Sequence, residues 1–120
     1  MKVKVYFNLH KKLFSVVAME GPNKGRVIDH VDSLELEQCS FRVQKAGRER
    51  VLRENRKNVH AYISGHTCAF NEPVKVDGEA TYNPYKYSTF VDKADGSPVG
   101  HKRYCRLIAK DGGTKIFTLG

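Results

Sequence analysis

Apolar and polar side chains alternate with a period of two along the first forty residues, the pattern of strands that bury one face. Val3, Val5, Phe7 and Leu9 fall on one side, and Lys2, Lys4, Tyr6 and Asn8 on the other. The polar break His10-Lys11-Lys12 lets Leu13 to Met19 return as a hairpin partner. Gly21-Pro22-Asn23-Lys24-Gly25 then supplies a loop, and a third strand is predicted from Arg26 to Val31. Leu34 and Leu36 share one phase, whereas Cys39, Phe41 and Val43 have the opposite parity. A strand through both sets must bulge or break near Gln38.

The period changes after Val43. Residues 45–57 contain no Pro, one early Gly, and many Arg, Glu, Lys and Leu residues, which predicts a helix. Glu49 stands four residues before Arg53, a favourable helical pair. Only Val51, Leu52 and Ala46 offer an apolar stripe for docking on a sheet, and the rest of the circumference is basic. From Asn58 the alternation resumes, with Val59, Ala61 and Ile63 on one face and Asn58, His60, Tyr62, Ser64 and His66 on the other. Asp77-Gly78, Asp95-Gly96 and Asp111-Gly112 are three tight-turn signals, each expected to join two strands. The last should pair Tyr104 to Ala109 with Thr114 to Leu119. The reading is an α+β, mainly β fold: eight or nine short strands in antiparallel hairpins and one basic α-helix, about 45–57, packed on a sheet.

With 120 residues the chain forms one domain, 1–120, since two halves would each lack an adequate core. The longest apolar stretch, Leu13 to Met19, is interrupted by Ser15 and falls short of the roughly 20 residues a spanning helix needs. Neither a membrane partner nor a secretion signal is expected, and the cytoplasm is the expected compartment. Cys39, Cys68 and Cys105 form no Cys-x-x-Cys pair, which argues against a disulfide scaffold or a zinc knuckle and for reduced thiols. Cys39 and Cys105 lie in apolar stretches and read as small core residues. No phosphate-binding loop, Rossmann fingerprint, nucleophile elbow or zincin helix occurs, so no cofactor or metal is expected.

Charge adds a direction. The net charge is +8, and residues 42–58 alone carry seven basic groups against Glu49 and Glu54. Five of those seven are arginines, whose planar forks suit phosphate better than ammonium groups do. A solvated face would look the same on composition, but the arginine bias tilts the reading toward an anionic partner. Aromatic and basic residues also interleave through Tyr82-Asn83-Pro84-Tyr85-Lys86-Tyr87 and His101-Lys102-Arg103-Tyr104, a composition that suits base stacking beside phosphate contacts and equally suits the edge of a sheet.

The runs Val5 to Val16 and Gly47 to Tyr62, with Tyr82-Asn83-Pro84-Tyr85-Lys86, resemble small uncharacterised accessory proteins encoded by tailed bacteriophages. That resemblance implies action in the host cytoplasm, with counter-defence as the expected role. The combined reading is a non-catalytic module that binds and sequesters an anionic nucleotide. Phosphates would sit on Arg48, Arg50, Arg53, Arg56 and Lys57, with His60 and Tyr62 orienting the ligand and Tyr85 and Tyr87 stacking on it. The alternatives are a DNA- or RNA-binding protein, an inhibitor of a host nucleic-acid-associated complex or defence protein, and a small phosphoesterase using His60 or His66. Self-association is compatible with all of these.

Overall fold

The computed structural model describes residues 1–8, 11–43, 61–68, 74–82, 90–111 and 113–120. Its elements are β1 (Lys2–Asn8), β2 (Leu13–Ala18), β3 (Val27–Val31), β4 (Ser33–Val43), β5 (Ala61–Thr67), β6 (Gly78–Tyr82), β7 (Phe90–Asp92), β8 (His101–Lys110) and β9 (Gly113–Leu119). They form one antiparallel sheet in the order β3-β2-β1-β5-β4-β8-β9-β6-β7. The expected α+β class is therefore corrected to all-β. Among the described residues every regular element is a strand and no helix packs on the sheet. The segment 45–57, where the helix was expected, lies outside the described residues.

The sheet needs no helical cover because it buries its inner face against itself. Phe41 of β4 meets Phe90 of β7 edge to face with centroids 5.2 Å apart, and Phe90 also packs on Tyr82 at 5.3 Å. Val5, Phe14 and Ile63 from one half of the sheet face Tyr82, Phe90 and Ile116 from the other, around a void of only about 10 Å³. Val3, Leu36, Cys39, Cys105, Leu107 and Ile116 are sealed from solvent in the same core. Burying such side chains contributes about 1.5–3 kcal/mol each, the main force holding the curl.

Strand alternation decides which residues line that core. In β1, Val3, Val5 and Phe7 are buried, and their partners across the β1–β2 hairpin are Ala18, Val16 and Phe14. In β4 the phase change occurs at Gln38, whose φ of +53° is rare for a residue other than glycine. The β4–β5 register shifts between Glu37 and Ser40, so Leu36 and Cys39 both turn inward. Gly65 accommodates the bulge, since a Cβ there would stand 2.9 Å from the carbonyl oxygen of Glu37.

The last hairpin pairs Tyr104 with Leu119 and Ala109 with Thr114, and Asp111 takes the positive φ the turn requires. Asp95-Gly96 also turns, carrying the chain from Asp92 back to the Val91–Pro98 bridge. Asp77-Gly78 does not turn. Gly78 opens β6 and pairs with Thr118, whose Oγ1 would be 2.9 Å from a Cβ at that position. Close approach of a neighbouring strand, rather than a hairpin, accounts for glycine there. No helix among the described residues is long and apolar enough to cross a membrane.

Candidate anion-binding face

The residues that alternate with the core form the outward side of β1, β5 and β4, and antiparallel partners there share a face. Lys4 is opposite Ser64 in the β1–β5 ladder, Ser64 is opposite Ser40 in β4–β5, and Ser40 is opposite His101 in β4–β8. Ser40 Oγ and His101 Nδ1 are hydrogen-bonded at 3.1 Å. One row thus crosses four strands. On one side of it, Tyr62 is opposite Arg42. On the other, His66 is opposite both Lys2 and Glu37.

The centre of the face is aromatic and cationic. Lys4 holds its ammonium 5.4 Å from the centroid of the half-buried Tyr62 ring, within cation–π range. Arg42 is exposed beside the same ring, and half-buried Tyr6 lies two residues along β1 from Lys4. Lysine lays its aliphatic stem along the sheet and leaves its charge in water. The arrangement puts one cation over an aromatic ring and a second on the neighbouring strand, so a planar base stacks on the ring once the Lys4 ammonium swings aside to meet a phosphate oxygen.

The chain between Val43 and Ala61 is tied to this face at both ends, because those two residues are partners in the β4–β5 ladder. Residues 44–60 carry Lys45, Arg48, Arg50, Arg53, Arg56 and Lys57 against Glu49 and Glu54. The most basic part of the sequence therefore leaves and re-enters the sheet beside Arg42 and Tyr62. Of the site residues expected from sequence, Tyr62 is on this face. Arg48, Arg50, Arg53, Arg56, Lys57, His60, Tyr85 and Tyr87 lie outside the described residues.

Lys4 and Ser40 were not singled out by sequence, whereas Arg42 was counted only within the basic run 42–58 and His101 only within His101-Lys102-Arg103-Tyr104. The polar phase of β1 showed that Lys4 faces out, but only the β1–β5 pairing puts it over Tyr62. Arg106, by contrast, serves the fold. Its Nε bonds to Tyr104 Oη at 3.3 Å and lies 3.6 Å from Glu35 Oε1, while Nη2 donates to the carbonyl of Val74 at 3.2 Å. Tyr104 in turn donates to Glu35 at 2.7 Å, and burial followed by that bond pushes its pKa up to about 12.

The thiols are poorly suited to chemistry. Cys39 and Cys105 lie side by side in the core with their sulfurs 3.0 Å apart, and the hydrogen bond to Cys39, then burial, raises the Cys105 pKa. Burial, then the charges of Glu37 and Glu35, pushes Cys68 up to about 11. Among the described residues no cluster of His, Cys, Asp or Glu could hold a metal ion.

Residues 1–114 match the family described as the Mycobacterium phage L5 gene 82 protein. The gene 82 protein of Mycobacterium phage L5 is 39% identical over 104 residues, covering 82% of each chain. No solved structure matches.

Proposed function

The chain belongs to the family of the Mycobacterium phage L5 gene 82 protein, and on that premise we propose that this phage accessory protein binds single-stranded nucleic acid across the outer face of β1, β5 and β4 in the host cytoplasm. The observation that carries the reading is Tyr62, with Lys4 5.4 Å from its ring and Arg42 opposite it in the ladder. A sheet surface with an aromatic platform and flanking cations suits a strand laid across it, with bases on the ring and phosphates beside it. Six further basic residues lie between Val43 and Ala61 in the sequence and add to the positive charge offered to an anionic partner.

Capture of a small anionic nucleotide, as a counter-defence step, is the second reading. It is favoured by an open polar pocket of about 310 Å³ beside Ser40 and His101, at the end of the Lys4–Ser64–Ser40–His101 row.

Fluorescence anisotropy with a labelled single-stranded 20-mer tests the leading reading. Affinity should fall with salt, with a log–log slope of about 0.7 per phosphate neutralised. Tyr62→Ala should lose a stacking surface worth about 1–3 kcal/mol. A mononucleotide that competes at equal concentration would favour capture. No binding of the 20-mer at low salt, or unchanged affinity in a Lys4→Ala, Tyr62→Ala double variant, would remove this face from consideration.

A further inference from the structure

The bulge in β4 opens a pocket that the strand face does not account for. Gln38 has a φ of +53° and is absent from the paired positions of both the β4–β5 and β4–β8 ladders. The space beside it, about 310 Å³, is lined by Gln38, Cys39, Ser40, His101, Lys102, Arg103 and Gly120. Such a volume lies at the lower end of the roughly 300–1,000 Å³ usual for small-ligand sites. No carboxylate side chain lines it, and the main-chain carboxyl of Gly120 is the one lining group that would repel an anion. Bulges often re-aim side chains at binding sites, and left-handed non-glycine residues concentrate there too.

Polar and cationic groups line this space together. Ser40 Oγ and His101 Nδ1 are 3.1 Å apart, which places a hydroxyl and an imidazole on the same wall. Arg103 is pressed against the backbone of Gly120, where a Cβ would stand 3.0 Å from its Cγ and Nε. Among the described residues neither Lys102 nor Arg103 has an ion pair, whereas Arg106, three residues on, is engaged by Glu35, Tyr104 and Val74. Asp95 is near enough to Lys102 to feel its charge, yet it does not line the pocket.

We propose that this pocket is a phosphate-binding subsite, with Arg103 and Lys102 as the charge partners, Ser40 and His101 as hydrogen-bonding groups, and a terminal phosphate monoester as the group it receives. It rests on the anionic-ligand reading of the adjoining face, and it extends the Lys4–Ser64–Ser40–His101 row to an end point where a strand terminus or a free nucleotide's phosphate is held.

Two measurements on the intact chain test it separately from the face. In ¹⁵N–¹H spectra, inorganic phosphate should shift the amides of Ser40, His101, Lys102 and Arg103, and sodium chloride at equal ionic strength should not. Arg103→Gln should weaken that response about tenfold or more, the loss of a charged hydrogen bond. Absence of a phosphate-specific shift at these residues overturns the subsite, whether or not the face binds nucleic acid. In the second measurement, a 5′-phosphorylated 20-mer should bind more tightly than the unphosphorylated one, with the difference abolished by Arg103→Gln. A phosphate-specific shift without any advantage for the phosphorylated strand assigns the subsite to a free nucleotide instead.

Discussion

Phe41 and Phe90 meet edge to face at 5.2 Å although three strands separate β4 from β7 in the sheet. That contact closes the curl, bringing the β6–β7 end over the middle of the sheet. Phe90→Ala should therefore cost about 3–5 kcal/mol, in the range for a buried aromatic. Urea denaturation followed by tyrosine fluorescence would measure it. A loss below about 1 kcal/mol would mean that the β7 end is not part of the cooperative core.

The bulge at Gln38 and the absence of a side chain at Gly65 form one device. A methyl at Gly65 would press on the Glu37 carbonyl oxygen at 2.9 Å and the Leu36 Cβ at 3.3 Å. Gly65→Ala should destabilise the protein by about 1–3 kcal/mol through overpacking. Gln38→Gly should be neutral or stabilising, because glycine adopts positive φ freely. Thermal unfolding of both variants checks the pair, and an unchanged midpoint for Gly65→Ala would contradict the close approach.

Tyr82 places its hydroxyl in the interior with no hydrogen-bond partner among the described residues, and burial pushes its pKa up to about 12. Tyr82→Phe should be neutral or about 1 kcal/mol more stable, because an unsatisfied group is removed. The folded protein holds this proton more tightly than the unfolded chain, whose tyrosines titrate near the ordinary value of 10. The associated stability is complete below pH 10 and is lost as pH rises toward 12. Tyr104 behaves in the same sense. Stability measured between those pH values should fall less steeply in a Tyr82→Phe, Tyr104→Phe double variant.

Thiol labelling separates the three cysteines. Cys39 and Cys105 are sealed in the core and Cys68 is half-buried with its pKa near 11. At neutral pH one thiol should react slowly in the folded protein and all three rapidly in denaturant. Rapid native labelling of Cys39 or Cys105 would contradict the sealed core.

Local patterns were legible in the sequence where one strand's own alternation carried them. The phase of β1, the parity change at Gln38 and the hairpin at Asp111 could all be read directly. The partnership of β1 with β5 could not, since nothing in either strand's alternation names its neighbour across fifty residues of chain, and with it went Lys4 over Tyr62. Asp77-Gly78 misled because glycine serves close strand approach as readily as turns. The α+β reading came from helix-forming composition in residues 45–57, and composition carries no signal that a sheet will cover its own inner face with Tyr82 and Phe90. Among the proposed ligand residues, Tyr62 was placed correctly on the polar face by period alone.

Chemical-shift mapping with a single-stranded oligonucleotide is the most direct test of the outer face. Titrating a ¹⁵N-labelled sample at low salt should perturb the amides of Lys4, Tyr6, Arg42, Tyr62 and Ser64, leave Val27 to Val31 of β3 unchanged, and reverse when salt is raised. Perturbations confined to β3 or β9, or none at low salt, would contradict binding on the β1–β5–β4 face.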